Sequence, residues 1–198
     1  DQSTEQKILQ AARKVFISSG MAGARMQDIA NEAEINKALL HYYFRSKEKL
    51  FDTVFKEVSG NLFPKINSIF EADISLFEKI EQFCEAYIEK LIENPFIPLF
   101  VLNEMNRNPE AFAEKILGGK KPNLKIVFTQ VQENIKQGII KSIKPEHLFM
   151  NMISMCIFPF VAKPMYVAVS GAKESDFLKL MQERKTEIPK FIIDSIRK

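Results

Sequence analysis

The residues best suited to chemistry lie close together between positions 36 and 42. Asn36, Lys37, His41 and Tyr42 bring an amide, an ammonium, an imidazole and a phenol into seven residues, with the small Ala38 among them. Such groups can hydrogen bond to phosphate oxygens or base edges, and a small residue allows close approach to a base. The segment has the composition of a helix that reads nucleic acid.

Two short helices are needed to position these residues. Apolar residues over 26–33 follow helical spacing, and residues 34–36 form a short turn before the next helix. Asn36 is a suitable N-cap for that helix, and Ile35 and Leu40 are spaced for a hydrophobic staple around it. Two short helices joined by such a turn predict a helix-turn-helix.

The remaining pattern predicts an all-α chain of about nine helices. The first helix is expected to end at Gly20, and Ser46 is expected to cap the fourth, which Gly60 and Pro64 should bend or break. Further helices are predicted to start at Ser75 and at about residues 96, 109, 124, 145 and 175, with breaks at 118–122 and at Pro159 and Pro164.

Composition excludes several classes of protein. The 198 residues carry a net charge of only +3, so any interaction with nucleic acid must depend on where charges lie. No apolar run reaches the roughly 20 residues of a membrane span and no signal peptide is evident, so we expect a cytoplasmic protein without a membrane partner. Cys84 and Cys156 are expected to be buried free thiols.

No motif predicts catalysis, a metal or a cofactor. The stretch 118–121 lacks the spacing of a phosphate-binding loop, and His147 has no second histidine at metal-ligand spacing. Local sequence suggests neither a catalytic triad nor paired carboxylates. We therefore expect that the chain is not an enzyme.

The sequence resembles the TetR family of bacterial transcriptional regulators. The similarity lies in Ile29, Ala30 and Ala33, in the run from Ile35 to Phe44, and in the run from Ser46 to Leu50. It implies a DNA-binding domain at residues 1–48 and a helical domain for effector binding and dimerisation at 49–198. The chain departs from the family at Glu34, where glycine is usual, and also at Arg25 and His41.

The resemblance also implies partners and contact residues. It implies a homodimer that binds a palindromic double-stranded operator and usually acts as a repressor, with the last two helices forming the dimer interface. The DNA-contacting positions that it implies are Arg25, Met26, Gln27, Asn36, Lys37, Ala38, His41, Tyr42, Tyr43 and Lys47.

A set of aromatic and sulfur-containing residues in the second half is consistent with either an ordinary core or an adaptable apolar pocket. On the second interpretation, the effector is a small apolar or aromatic molecule. The candidate ligand-binding residues are Phe63, Met105, Phe128, Met152, Met155, Cys156 and Phe160. The alternative for the whole chain is an all-helical ligand-binding protein or enzyme whose helix-turn-helix is merely structural.

Overall fold

The structure is a computed structural model that describes residues 2–107, 110 and 123–198, without the side chains of 2, 58, 59, 61, 100, 103–105 and 107. These residues confirm the all-α prediction, with one isolated bridge between Ile140 and Arg197. Of the other predicted elements, the helix at 109–117, apart from Glu110, and the break at 118–122 lie outside the described residues. The ten described helices are α1 (Gln2–Gly23), α2 (Met26–Glu32), α3 (Lys37–Tyr43), α4 (Lys47–Glu71), α5 (Leu76–Glu93), α6 (Ile97–Arg107), α7 (Leu124–Lys136), α8 (Pro145–Val161), α9 (Lys163–Ser170) and α10 (Glu174–Ile196).

The chain divides into two compact units. The first contains residues 1–61 and 94–116, and the second contains residues 62–93 and 117–198. The units are groups of residues that pack together, whereas the sequence-based division at residue 48 concerns function and stays a prediction.

Aromatic residues form the core of the first unit. The rings of Phe16 and Phe51 meet edge to face at 4.8 Å, and Phe96 lies 5.6 Å from Phe51. Both Phe16 and Phe51 are fully buried. Edge-to-face pairs contribute about 0.5–1.5 kcal/mol beyond the area that they bury, so these rings join α1 to the first half of α4.

Glycine and proline act differently at different positions. Gly20 breaks α1 as expected, with φ 65° and ψ 173°, and one further turn follows it. Gly60 and Pro64 do not break the fourth helix, because α4 runs without a break from Lys47 to Glu71, and a bend at these residues stays a prediction. Pro64 is exposed, so a backbone carbonyl that loses its N–H partner there can be satisfied by water.

The helix that was expected to break at Pro159 also continues past it, to Val161. Pro159 has no N–H to offer the carbonyl of Met155, four residues earlier. The guanidinium of Arg184, in α10, donates to that carbonyl over 2.8 Å instead. Arg184 therefore compensates for the proline, and the break falls at Ala162, between α8 and α9.

Local capping signals place the helices of the second unit correctly. Ser75 and Glu78 form a reciprocal capping box before α5, with hydrogen bonds of 2.9 and 3.2 Å. Pro145 occupies the first turn of α8, as predicted. Helix α5 packs against α10 and α8, and this packing forms the core of the unit.

Among the described residues, no single helix is long and apolar enough to cross a membrane. The bent pair of α8 and α9, with 61° between the two helices, passes the same test of length and composition when the helices are taken together.

Candidate nucleic-acid interface

Helix α3 presents most of its surface to solvent. Only Leu40 is fully buried among its seven residues. Asn36 is the N-cap, as predicted, because its Oδ1 accepts a hydrogen bond of 2.7 Å from the backbone N–H of Leu39. The side chains of Lys37, Ala38, His41 and Tyr42 are all exposed. A single buried anchor and one cap thus leave these four side chains exposed on the surface of α3.

A tight turn connects α2 to α3. The N–H of Ile35 bonds to the carbonyl of Ala30 over 3.0 Å, and the N–H of Glu34 bonds to that of Asn31 over 3.1 Å. This pair of bonds is a Schellman motif, which needs a left-handed residue at its C′ position. Glu34 takes that position with φ 55°, so a side chain stands where glycine is usually favoured.

The start of α2 contributes a second group of candidates. Arg25 is the exposed N-cap residue of α2, without a side-chain capping bond, and Met26 follows it half-buried. Gln27 is also exposed, and its Nε2 donates to Oδ1 of Asn31 over 2.9 Å. The Gln27 amide is therefore oriented within α2, and its side chain stays exposed.

The aromatic end of α3 differs in exposure from residue to residue. Tyr42 is 81% exposed, and its ring lies edge-on to that of the half-buried Tyr43 at 5.5 Å. Nδ1 of His41 lies 3.4 Å from the carbonyl oxygen of Arg45, which is at the long limit of a hydrogen bond. Arg45 itself is exposed next to these residues, although no sequence pattern predicted a role for it.

Lys47 lies in a different environment from the other candidates. It is half-buried, and its Nζ donates to the carbonyl oxygens of Met21 and Ala24 over 2.9 and 3.0 Å. Neither bond could be foreseen from sequence spacing, because the partners are 26 and 23 residues away.

The predicted ligand-binding residues lie in different surroundings. Phe128 joins an aromatic cluster through Phe149, which also contacts Phe70 and Phe83. Phe160 instead meets Phe177, at 6.0 Å. Of the remaining candidates, Met152 and Cys156 are buried, Phe63 and Met155 are half-buried, and the side chain of Met105 lies outside the described residues.

Cys84 and Cys156 are free buried thiols, as expected. A hydrogen bond to Cys156 and burial both raise the pKa of the Cys84 thiol far above its ordinary value. Burial likewise raises the pKa of Tyr87 to about 12. A thiol that is buried and protonated is a poor nucleophile, so Cys84 has the character of core packing.

Two cavities in the second unit differ in character. One, of about 480 Å³, is apolar and lies between α8, α9 and α10, where Phe158, Met165, Tyr166 and Met181 line it. The other, of about 510 Å³, has a mixed polar and apolar lining and borders α5 and α7. Neither is lined by the seven candidate ligand residues. Within the described ranges, no cluster of three or more metal-ligating side chains occurs.

The geometry defines the class of protein. A short, exposed helix that follows another across a tight turn is the helix-turn-helix arrangement of DNA-binding proteins, in which the second helix enters the major groove. Residues 8–54 match the family described as "Bacterial regulatory proteins, tetR family". The chain is a DNA-binding transcriptional regulator.

Curated relatives support this over most of the chain. The transcriptional regulator RutR of Escherichia coli K12 is 26% identical over 191 residues, which is 96% of this chain and 89% of RutR. The transcriptional repressor NicS of Pseudomonas putida is 44% identical, but only over 55 residues, 28% of this chain and 26% of NicS.

Solved structures share the fold from end to end. The hemolysin II transcriptional regulator HlyIIR has a TM-score of 0.65 at 24% identity, covering 100% of this chain and 98% of its own. FadR of Bacillus subtilis, solved in complex with stearoyl-CoA, has a TM-score of 0.61 at 17% identity, covering 97% of this chain and 99% of its own.

Proposed function

We propose that this regulator is a repressor that binds a palindromic operator as a homodimer and is released by a small apolar or aromatic effector. The observation that carries the proposal is the exposed polar surface of α3, anchored by Leu40 and capped by Asn36. A helix whose role is merely structural would be expected to bury more than one of its seven residues. It would also need no cluster of hydrogen-bonding side chains on the exposed side.

Different side chains would serve affinity and specificity. Lys37, His41 and Tyr42 would reach base edges in the major groove, and Ala38 would allow close approach to a thymine methyl group. Arg25, Met26 and Gln27 at the start of α2, with Asn36 and Tyr43, would contact the phosphate backbone or neighbouring bases. Contacts of cations with phosphates supply most of the affinity, while base contacts supply the sequence preference.

A second copy of the chain is the partner that best fits the apolar face of α8–α10. In α8, Leu148, Met152, Cys156 and Phe160 are buried at every fourth position, yet Met150 and Phe158 are more than 60% exposed on other sides. Met165 and Val169 extend the exposed apolar surface along α9. An apolar surface rimmed by polar residues marks an interaction site, and two-fold pairing of α8 and α10 would form a four-helix bundle.

The effector would bind in the second unit among Phe and Met side chains. The aromatic cluster around Phe149 provides the composition of an adaptable apolar pocket. FadR, which shares the fold, binds an acyl-CoA in its solved structure. The effector would release DNA only if it binds the DNA-incompetent state more tightly. A protein working on chromosomal DNA in this way acts in the cytoplasm.

The test is selection of binding sites from random DNA duplexes by the purified chain. We expect a palindrome whose half-sites lie about one helical turn apart, roughly 34 Å, or a multiple of it. Affinity for the selected site should fall steeply with salt. Recovery of no palindrome, together with salt-independent binding, would instead support the alternative of a structural helix-turn-helix.

The proposed effector is tested through the reciprocal effects of effector and operator on each other's binding. A panel of aromatic molecules and acyl chains is screened for thermal stabilisation of the free protein, and each stabilising compound is then titrated into the operator complex. A true effector must weaken operator binding by the same factor by which operator DNA weakens effector binding. If the compounds of one chemical class stabilise the protein but leave its affinity for the operator unchanged, release of the operator by that class is excluded.

A further inference from the structure

We infer that Lys47 is a positioning residue that fixes the start of α2 for DNA recognition, and that its ammonium is not a phosphate contact. The inference rests on the proposed function and concerns how the contact residues are held in place. Its basis is the pair of hydrogen bonds from Nζ to the carbonyl oxygens of Met21 and Ala24, at 2.9 and 3.0 Å.

These two carbonyls belong to a helix end that needs a donor. Gly20 interrupts α1, and only one turn follows before the chain leaves the helix at Gly23. The last carbonyls of a helix lack partners within the helix and carry partial negative charge. An ammonium with three N–H donors can bond to both carbonyls, and its positive charge is attracted to their partial negative charge.

The position of Ala24 makes the contact relevant to recognition. Ala24 directly precedes Arg25, whose carbonyl accepts the first backbone hydrogen bonds of α2, from Asp28 at 3.1 Å and Ile29 at 3.2 Å. Lys47 is the first residue of α4, whose start is fixed by the bond from the N–H of Lys49 to Ser46 Oγ at 3.2 Å. Lys47 therefore ties the first turn of α4 to Ala24, the residue before the N-cap of α2.

Two of the three N–H donors of Lys47 are used inside the fold. A surface lysine that binds a phosphate has an exposed, mobile ammonium, whereas Lys47 is half-buried with a defined geometry. Loss of this ammonium should displace Arg25 and Gln27 and so disturb specific contacts. Non-specific attraction to DNA, which depends on overall charge, should change little.

The test compares Lys47→Met with Lys49→Met, which removes the same charge from an exposed side chain in the same turn of α4. Fluorescence anisotropy at several salt concentrations gives affinities for the selected operator and for a scrambled duplex. We expect Lys47→Met to lower the ratio of specific to non-specific affinity by about tenfold, with little change for Lys49→Met. Hydrogen exchange at the amides of residues 21–27 should quicken only in Lys47→Met.

A phosphate contact by Lys47 would give a different set of results. If Lys47 binds phosphate, both affinities fall by the same factor, the slope of log affinity against log salt falls by about one, and exchange at residues 21–27 is unchanged. That outcome overturns the inference and leaves the proposed function intact. Failure of the wild-type chain to select any operator would count against the proposed function itself.

A second variant covers the case in which Lys47→Met does not fold. Lys47→Arg keeps the positive charge, but its longer planar group cannot place one nitrogen between both carbonyls. We expect a lowered specificity ratio with an unchanged salt slope. A wild-type ratio in Lys47→Arg, with wild-type exchange at residues 21–27, would overturn the inference.

Discussion

Helices α3 and α8 both expose side chains to solvent, but the two surfaces differ in chemistry. The exposed residues of α3 are polar or small except for the tyrosine ring of Tyr42, and Leu40 alone anchors the helix. Helix α8 buries a row of apolar residues and still exposes Met150 and Phe158. A polar exposed surface suits DNA, and an apolar one suits a second protein surface. The chemistry of each exposed surface therefore indicates the kind of partner that it fits.

The largest expected effect distinguishes a residue that stabilises the first unit from a residue that is proposed to contact DNA. Phe51→Ala removes a fully buried ring and should lower the free energy of unfolding by about 3–5 kcal/mol. Tyr42→Ala removes an exposed ring and should change it by less than about 0.5 kcal/mol while weakening operator binding. Because the chain has no tryptophan, urea unfolding followed by far-UV circular dichroism measures the free energy of unfolding of both variants. A large loss of stability in Tyr42→Ala would make that ring structural.

The next effect tests the apolar surface of the second unit. Val169 is 85% exposed, so Val169→Asp should leave the fold intact but raise the dimer dissociation constant by about 30-fold or more. Sedimentation equilibrium measures the change, and Ile17→Asp, at another exposed apolar residue, is the control. An unchanged dimer in Val169→Asp would remove this surface from the proposed interface.

The smallest effect concerns the turn before α3. Glu34 has φ 55°, which costs a residue with a side chain about 1 kcal/mol relative to glycine. Glu34→Gly should therefore stabilise the chain by roughly that amount, and Glu34→Ala, which keeps a Cβ, should not. Thermal unfolding of the three proteins compares them. Equal stability of the glycine and alanine variants would show that the turn is not strained.

Short-range signals explain what the sequence could predict. The Asn36 cap and the Ser75–Glu78 box lie within three residues of their partners, so spacing alone located α3 and α5. The continuation of α8 through Pro159 could not be predicted, because the compensating donor, Arg184, comes from α10. The same holds for the bonds of Lys47 to residues more than 20 positions away.

The two candidate sites were not equally predictable. Helical periodicity predicts which residues of α3 share its exposed side. Polar side chains clustered on that side have few structural roles, so a binding role could be predicted for them. The ligand-binding residues are harder to identify, because Phe and Met line a pocket and fill a core equally well. The spacing of Phe128, Met152 and Phe160 cannot distinguish these roles, so their assignment to an effector site stays a prediction.

The cap of α3 also limits which bases can be read at its first turn. Asn36 can pair with adenine through two hydrogen bonds only if its amide offers both an acceptor and a donor. Its oxygen already accepts from the backbone N–H of Leu39, so this pairing would require the same oxygen to accept a second hydrogen bond, whereas the NH₂ group can only donate. Lys37 beside it is also purely a donor. A base that met this first turn would therefore be favoured if it offered acceptors, as guanine does, and cytosine, which offers a donor in the major groove, would be disfavoured.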